Sequence, residues 1–109
     1  MKKHVVYLTD DALKDVEEIF DYITDHDTPE KATHVLNQLE KTFDSLRTSP
    51  ARGAIPTELL DLGMHDYREV FFKPYRVIYK VLSEGVYIYL VVDGRRDLQA
   101  LLQRRLLGA

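Results

Sequence analysis

The feature that most restricts the fold is a change in the spacing of apolar residues near Tyr67. Before that point they recur every three or four positions, as in amphipathic helices. After it they alternate, as in strands whose successive side chains turn to opposite faces. A chain of 109 residues can form one hydrophobic core. The sequence therefore predicts a single α+β domain over residues 1–109.

Two amphipathic helices are predicted in the first half. Thr9 offers a cap for the first helix, and Asp10 and Asp11 are first-turn acids that suit the helix dipole. The polar stretch at residues 24–27 is expected to end this helix. Thr28 and Pro29 suit the start of a second helix, which Ser49 and Pro50 end. Because the link is short, the two helices are predicted to form an antiparallel hairpin.

Four strands and a final helix complete the predicted order, β-α-α-β-β-β-α. A helical turn is also possible at residues 58–60. Short turns between the last three strands indicate antiparallel neighbours. The prediction is a small, mainly antiparallel sheet with a helical hairpin packed on one face and a short C-terminal helix. The strands are predicted at 5–8, 67–73, 75–82 and 86–92, and the last helix is predicted from Leu98, Leu101, Leu102 and Leu106.

Charge divides unevenly along the chain. Residues 1–66 carry a net charge of −7 and residues 67–109 carry +4. This asymmetry indicates either two working surfaces or ordinary solvated charge. In the predicted strand at residues 75–82, Arg76, Ile78 and Lys80 share one sheet face. The opposite face, with Tyr75, Val77, Tyr79 and Val81, is the predicted core face.

Several classes of site are excluded or disfavoured by the sequence. The chain has no cysteine, so it has neither disulfides nor thiolate metal ligands. Nucleophile-elbow, zinc-protease and phosphate-loop motifs are not present. We therefore expect no metal and no cofactor. A secretory signal and a membrane-length apolar run are also missing, which favours a cytoplasmic protein without a membrane partner.

Four segments resemble the RelE/ParE toxin family, in the family's order and over nearly the whole chain. They are residues 12–23, 46–53 with Leu-x-x-x-Pro-x-x-Gly, 67–79, and 91–98 with Asp-Gly-Arg-Arg-Asp. The resemblance is closer to ParE than to RelE. It implies a toxin neutralised by a cognate small antitoxin, usually encoded next to it, with operator DNA bound only indirectly through that antitoxin.

The resemblance leaves the molecular target open. ParE-like members inhibit DNA gyrase without chemistry of their own, and this reading is favoured. RelE-like members act on the ribosome and cleave mRNA; here the family's terminal Tyr or His has no counterpart in residues 97–109. The ParE pattern is also imperfect, because Asp93 stands where the turn often has His. A non-toxic antitoxin-binding module is a third reading. If the chain is a ribonuclease, the candidate catalytic residues are Arg76, Arg95, Arg96, Arg68 and Lys80.

Two binding surfaces are predicted on the same basis. The target-binding candidates lie in the last turn and the C-terminal helix: Arg95, Arg96, Leu101, Leu102, Arg104, Arg105 and Leu106. The antitoxin-binding candidates combine apolar residues with one strand arginine: Leu59, Leu60, Phe71, Phe72 and Arg76. Exposed apolar strips of this kind suit a partner segment that folds on binding.

Overall fold

The computed structural model describes residues 3–107 and confirms the predicted order of the main elements. Residues 1, 2, 108 and 109 of the predicted domain lie outside the described part. None of the described helices is long and apolar enough to cross a membrane. The elements are β1 (Val6–Leu8), α1 (Asp10–His26), α2 (Pro29–Ser45), α3 (Thr57–Leu60), β2 (Tyr67–Phe72), β3 (Tyr75–Leu82), β4 (Gly85–Asp93) and α4 (Leu98–Leu107).

The four strands form one sheet in the order β1-β4-β3-β2. β1 pairs with β4 in parallel, and the other two pairs are antiparallel. The register shifts within the β3–β4 pair, where Tyr79 faces Ile88 and Ile78 faces Leu90. Tyr89 is therefore an extra residue in β4 and forms a β-bulge. Beyond the bulge the alternation of β4 is shifted by one residue, so the other set of alternate residues turns its backbone N–H and C=O groups to the outer edge of the strand.

Both helices of the hairpin begin at the predicted caps. The Thr9 hydroxyl accepts the Ala12 N–H at 3.1 Å, and the Thr28 hydroxyl accepts the Lys31 N–H at 3.1 Å. The prediction that residues 24–27 end α1 is confirmed, since the helix ends at His26 and Asp27 is its C-cap. Thr24 and His26 hydrogen bond to carbonyls one turn earlier, at 2.9 Å each, so these polar side chains are accommodated within the helix.

Both faces of the sheet are covered, and each carries its own apolar cluster. The hairpin packs on the first face, where Val77, Tyr79 and Ile88 are fully buried. α3 and α4 pack on the second face, whose cluster includes Ile78 and Leu90. The expectation of one core face was therefore too simple, because the C-terminal helix buries the face assigned to Arg76 and Lys80. At the far end of β3, Val81 is 38% exposed.

The loop between α2 and α3 is anchored on Tyr79 from β3. The Tyr79 hydroxyl donates to the Pro50 carbonyl at 2.6 Å and accepts the Gly53 N–H at 3.0 Å. Arg68 donates to the Gly53 carbonyl at 2.7 Å. A Cβ at position 53 would lie 2.5 Å from the Glu69 carbonyl oxygen, so only glycine fits this close approach. Pro50 and Gly53 thus hold the loop against the sheet.

Candidate functional site

A buried ionic cluster lies on the second face of the sheet, between α3 and the strands. Arg76 Nη1 and Nη2 contact the two Glu58 carboxylate oxygens at 2.7 and 2.9 Å. Arg76 Nε contacts Glu69 Oε1 at 2.7 Å. The arginine side chain is 13% exposed. Two carboxylates therefore occupy the donors that this arginine would otherwise offer to a phosphate or a partner carboxylate.

The two carboxylates respond differently to the same guanidinium. The hydrogen bonds from Arg76 lower the pKa of Glu58 below its usual value. Burial raises the pKa of Glu69 above its usual value, and the Arg76 hydrogen bond only partly opposes that effect. The difference follows from position, since the Glu69 side chain is 9% exposed and that of Glu58 is 24% exposed. The Glu58 contact fixes α3 against the sheet, and the Glu69 contact joins β2 to β3.

A second ion pair attaches α4 to the rest of the fold. Arg105 Nη1 and Nη2 contact the Asp15 carboxylate of α1 at 2.9 and 3.1 Å, and Nη1 also donates to the Tyr89 carbonyl at 3.0 Å. The same carboxylate accepts the Val91 N–H at 3.0 Å. Asp15 and Arg105 thereby cover part of the β4 edge that β1 is too short to reach.

The predicted target-binding residues fall into two groups. Arg95, Arg96 and Arg104 are exposed, although Arg95 also pairs with Asp93. Buried or engaged residues form the other group: Leu102 is 1% exposed, Arg105 is held by Asp15, and Leu101 and Leu106 pack against the second cluster. In this conformation, only the three exposed arginines present their charges to a target.

The predicted antitoxin-binding residues do not form one surface. Leu59 is 1% exposed and belongs to the second cluster, while Leu60 is 47% exposed. Phe71 is 52% exposed and pairs across the sheet with Arg76 on the second face. Its neighbour Phe72 packs against the first cluster, on the opposite face. Alternation along β2 separates the two phenylalanines, so the predicted strip is divided between the faces.

Of the remaining ribonuclease candidates, Arg68 and Lys80 are engaged in the fold, and Arg95 and Arg96 are exposed. Arg68 donates to the Gly53 carbonyl, and the Lys80 ammonium lies 5.4 Å from the centre of the Tyr67 ring. Arg95 and Arg96 lie beyond the end of β4, on exposed turn positions. Among the described residues, no group of three or more acidic or histidine side chains is arranged to hold a metal ion.

An open groove lies where α1 passes the end of β4, and the sequence analysis did not predict it. We call it the tip groove; it measures about 570 Å³. Tyr22 and Ile23 of α1 form one wall, Tyr75 contributes from β3, and residues 91–93 form the β4 side. A second depression of about 470 Å³ adjoins it and shares Tyr22, Ile23 and Tyr75. Tyr22 is 64% exposed, which is unusual for an aromatic residue on a helix. The presence of this tyrosine in the helix is the one feature of the sequence that points to the groove.

Comparison with known proteins identifies the family. The sequence model of the family described as "ParE toxin of type II toxin-antitoxin system, parDE" matches residues 6–98. This chain belongs to the ParE toxin family. Toxin ParE3 of Caulobacter vibrioides is 28% identical over 91 residues, covering 84% of this chain and 87% of that protein. The chain is thus the toxin component of a type II toxin–antitoxin system by family.

Two solved structures share the fold of this ParE family member. A chain from the chromosomal ParDE system of P. aeruginosa superposes with a TM-score of 0.70 at 17% identity, covering 84% of this chain and 96% of the other. A chain from the RelBE2 toxin–antitoxin complex of Mycobacterium tuberculosis gives 0.58 at 22% identity, covering 85% and 93%. The predicted RelE/ParE-like fold and the closer relation to ParE are confirmed.

Proposed function

We propose that this ParE family member inhibits DNA gyrase by binding it, without chemistry of its own, and that a cognate antitoxin neutralises it. The observation that carries the proposal is the state of Arg76. The alternative activity, mRNA cleavage on the ribosome, needs this strand arginine to face the substrate. Here Glu58 and Glu69 satisfy its guanidinium, and α3 packs over it.

General chemistry supports the same choice. Cleaving RNA through its 2′-OH requires a base, an acid and a cation for the transition-state charge. Arginine can supply the charge but not the base, because it stays protonated. The exposed cations Arg95, Arg96 and Arg104 suit a binding surface for an acidic partner, which is what a non-catalytic inhibitor requires.

The first test follows macromolecular synthesis after a short pulse of expression without antitoxin. Incorporation of labelled thymidine is expected to fall before that of labelled methionine. With purified protein, the wild type should inhibit supercoiling by gyrase. The double variant Arg95→Glu with Arg96→Glu should inhibit it less. Arg47→Glu is the control, since Arg47 is an exposed arginine just beyond the end of α2 and outside the basic C-terminal part of the chain.

The outcomes separate the three readings. If methionine incorporation falls first, the ribonuclease alternative is supported and the gyrase proposal fails. If neither falls while the protein is folded, the chain acts as a non-toxic antitoxin-binding module.

A cognate antitoxin is the second part of the proposal. The two structural neighbours come from a ParDE system and from a RelBE2 toxin–antitoxin complex, which supports such a partner here. Co-expression with each small reading frame flanking the gene should restore growth for one of them, and the two proteins should purify together. Operator DNA should bind the pair and not the toxin alone. Failure of every flanking frame to restore growth would count against the antitoxin.

A further inference from the structure

The outer edge of β4 is covered along most of its length but bare at its end. β1 pairs with β4 only from Val86 to Ile88. Beyond β1, Arg105 covers the Tyr89 carbonyl and Asp15 covers the Val91 N–H. Residues of a strand alternately turn their backbone groups toward one neighbour and the other. The Val91 carbonyl and the Asp93 N–H therefore face outward, into the tip groove.

These two groups have the spacing of a parallel β-bridge. Neither has a hydrogen-bond partner in the part of the chain that the structure describes. In a parallel bridge, one residue donates its N–H to a carbonyl and accepts the N–H two residues further along the neighbouring strand. A residue placed opposite Val92 would satisfy both groups. It would continue, along the same edge and in the same direction, the parallel pairing that β1 begins.

The walls of the groove indicate the composition of such a segment. Residues on either side of the bridging residue would turn to the sheet face that carries Tyr75 and α1, where Tyr22 and Ile23 offer apolar surface. Carboxylates line the groove as well: Asp15 is paired with Arg105, Asp93 is paired with Arg95, and Glu18 lies on the α1 side. At the rim, Arg96 has no carboxylate partner among the described residues. An extended segment with apolar residues at alternate positions and one acidic residue placed beside Arg96, away from Glu18, complements this surface.

We propose that the tip groove binds an extended, acidic and apolar segment of the antitoxin, which adds to β4 in parallel opposite Val92. This inference rests on the proposed antitoxin partner and places it away from Leu59, Leu60 and Phe71. Recognition comes from two main-chain hydrogen bonds, from the exposed Tyr22 ring and from the rim arginine.

The test uses the full chain and a displayed library of random 12-residue peptides. The most enriched peptide is synthesised, and its affinity is measured by fluorescence anisotropy. Tyr22→Glu should weaken binding at least about tenfold, as for a central aromatic contact. Asp93→Pro removes the edge N–H and should weaken binding about fivefold relative to Asp93→Ala, which keeps it.

Matched controls distinguish this groove from the other exposed apolar surfaces. Leu13→Glu alters the same helix at 49% exposure, and Phe71→Glu alters the second face at 52% exposure. Both should bind the peptide as the wild type does. In amide exchange, the Asp93 N–H should exchange at least about tenfold more slowly when the peptide is bound.

Three results would overturn the inference: no enriched peptide, loss of binding in a control variant but not in Tyr22→Glu, or unchanged Asp93 exchange. None of them bears on toxicity or on rescue by a flanking reading frame, so the proposed function can stand if the groove assignment fails. Conversely, loss of rescue by every flanking frame would remove the antitoxin while leaving peptide binding measurable.

Discussion

Replacing Arg76 by alanine is expected to destabilise the fold by about 3 kcal/mol, since removing one partner of a buried ion pair costs roughly 3–5 kcal/mol. The change would leave two carboxylates close together without their cation. Glu69 is 9% exposed and cannot regain full hydration, whereas Glu58 is 24% exposed and recovers part of it. The partial exposure of Glu58 places the expected cost at the lower end of that range.

Urea unfolding at pH 7, followed by circular dichroism, measures this cost. With a urea dependence of about 1.5 kcal/mol per molar, a loss of about 3 kcal/mol lowers the midpoint by about 2 M. Arg95→Ala is the matched control, because that side chain is 81% exposed and its pair with Asp93 lies at the surface. Its midpoint should stay close to that of the wild type, because an ion pair exposed to solvent contributes little to stability.

A charge-free variant separates the missing cation from a missing side chain. Arg76→Met combined with Glu58→Gln and Glu69→Gln removes all three charges and should recover much of the loss. If Arg76→Ala shifts the midpoint no more than Arg95→Ala does, the ionic cluster contributes nothing to stability. Arg76 would then be available for a ligand, and the ribonuclease reading would regain its main residue.

Three further predictions concern other contacts. Arg105→Ala should lower stability by about 2–3 kcal/mol in urea unfolding, because Asp15 stays 13% exposed without its cation; an unchanged midpoint would contradict the attachment of α4. Tyr79→Phe should cost about 1–3 kcal/mol by leaving buried loop groups unpaired, with Tyr7→Phe as an exposed control. Arg95 lowers the pKa of Asp93 to about 2, so the stabilisation is lost as pH falls from about 4 to about 2. The stability difference between wild type and Asp93→Asn should therefore shrink as pH falls below about 4 and disappear only below pH 2, and a difference at pH 2 as large as that at pH 6 would contradict the assignment.

The order of elements could be predicted because each one is encoded locally. The caps at Thr9 and Thr28 and the alternation after Tyr67 require no knowledge of distant residues, and the structure confirms them. The end of α1, in the polar stretch at residues 24–27, was predicted from local sequence as well. Polar residues in its last turn bond back to helix carbonyls, which a reading of polarity alone does not reveal.

The candidate sites depended on contacts that local patterns do not contain. Arg105 meets Asp15 ninety positions away, and Arg76 meets Glu58 eighteen positions away. An arginine in a basic half reads as a free cation until its acidic partner is located. The tip groove was missed for a similar reason, because it depends on how far β4 extends past β1 and on the bulge at Tyr89.

The division of the arginines by role changes how a functional scan of the basic half should be interpreted. Arg68, Arg76 and Arg105 are built into the fold, whereas Arg95, Arg96 and Arg104 are exposed. Loss of toxicity in a variant of the first group would report lost folding before it reported lost target contact. Loss in the second group, with an unchanged urea midpoint, would instead locate the target surface. Toxicity and stability therefore have to be measured on the same variants for either result to bear on the gyrase proposal.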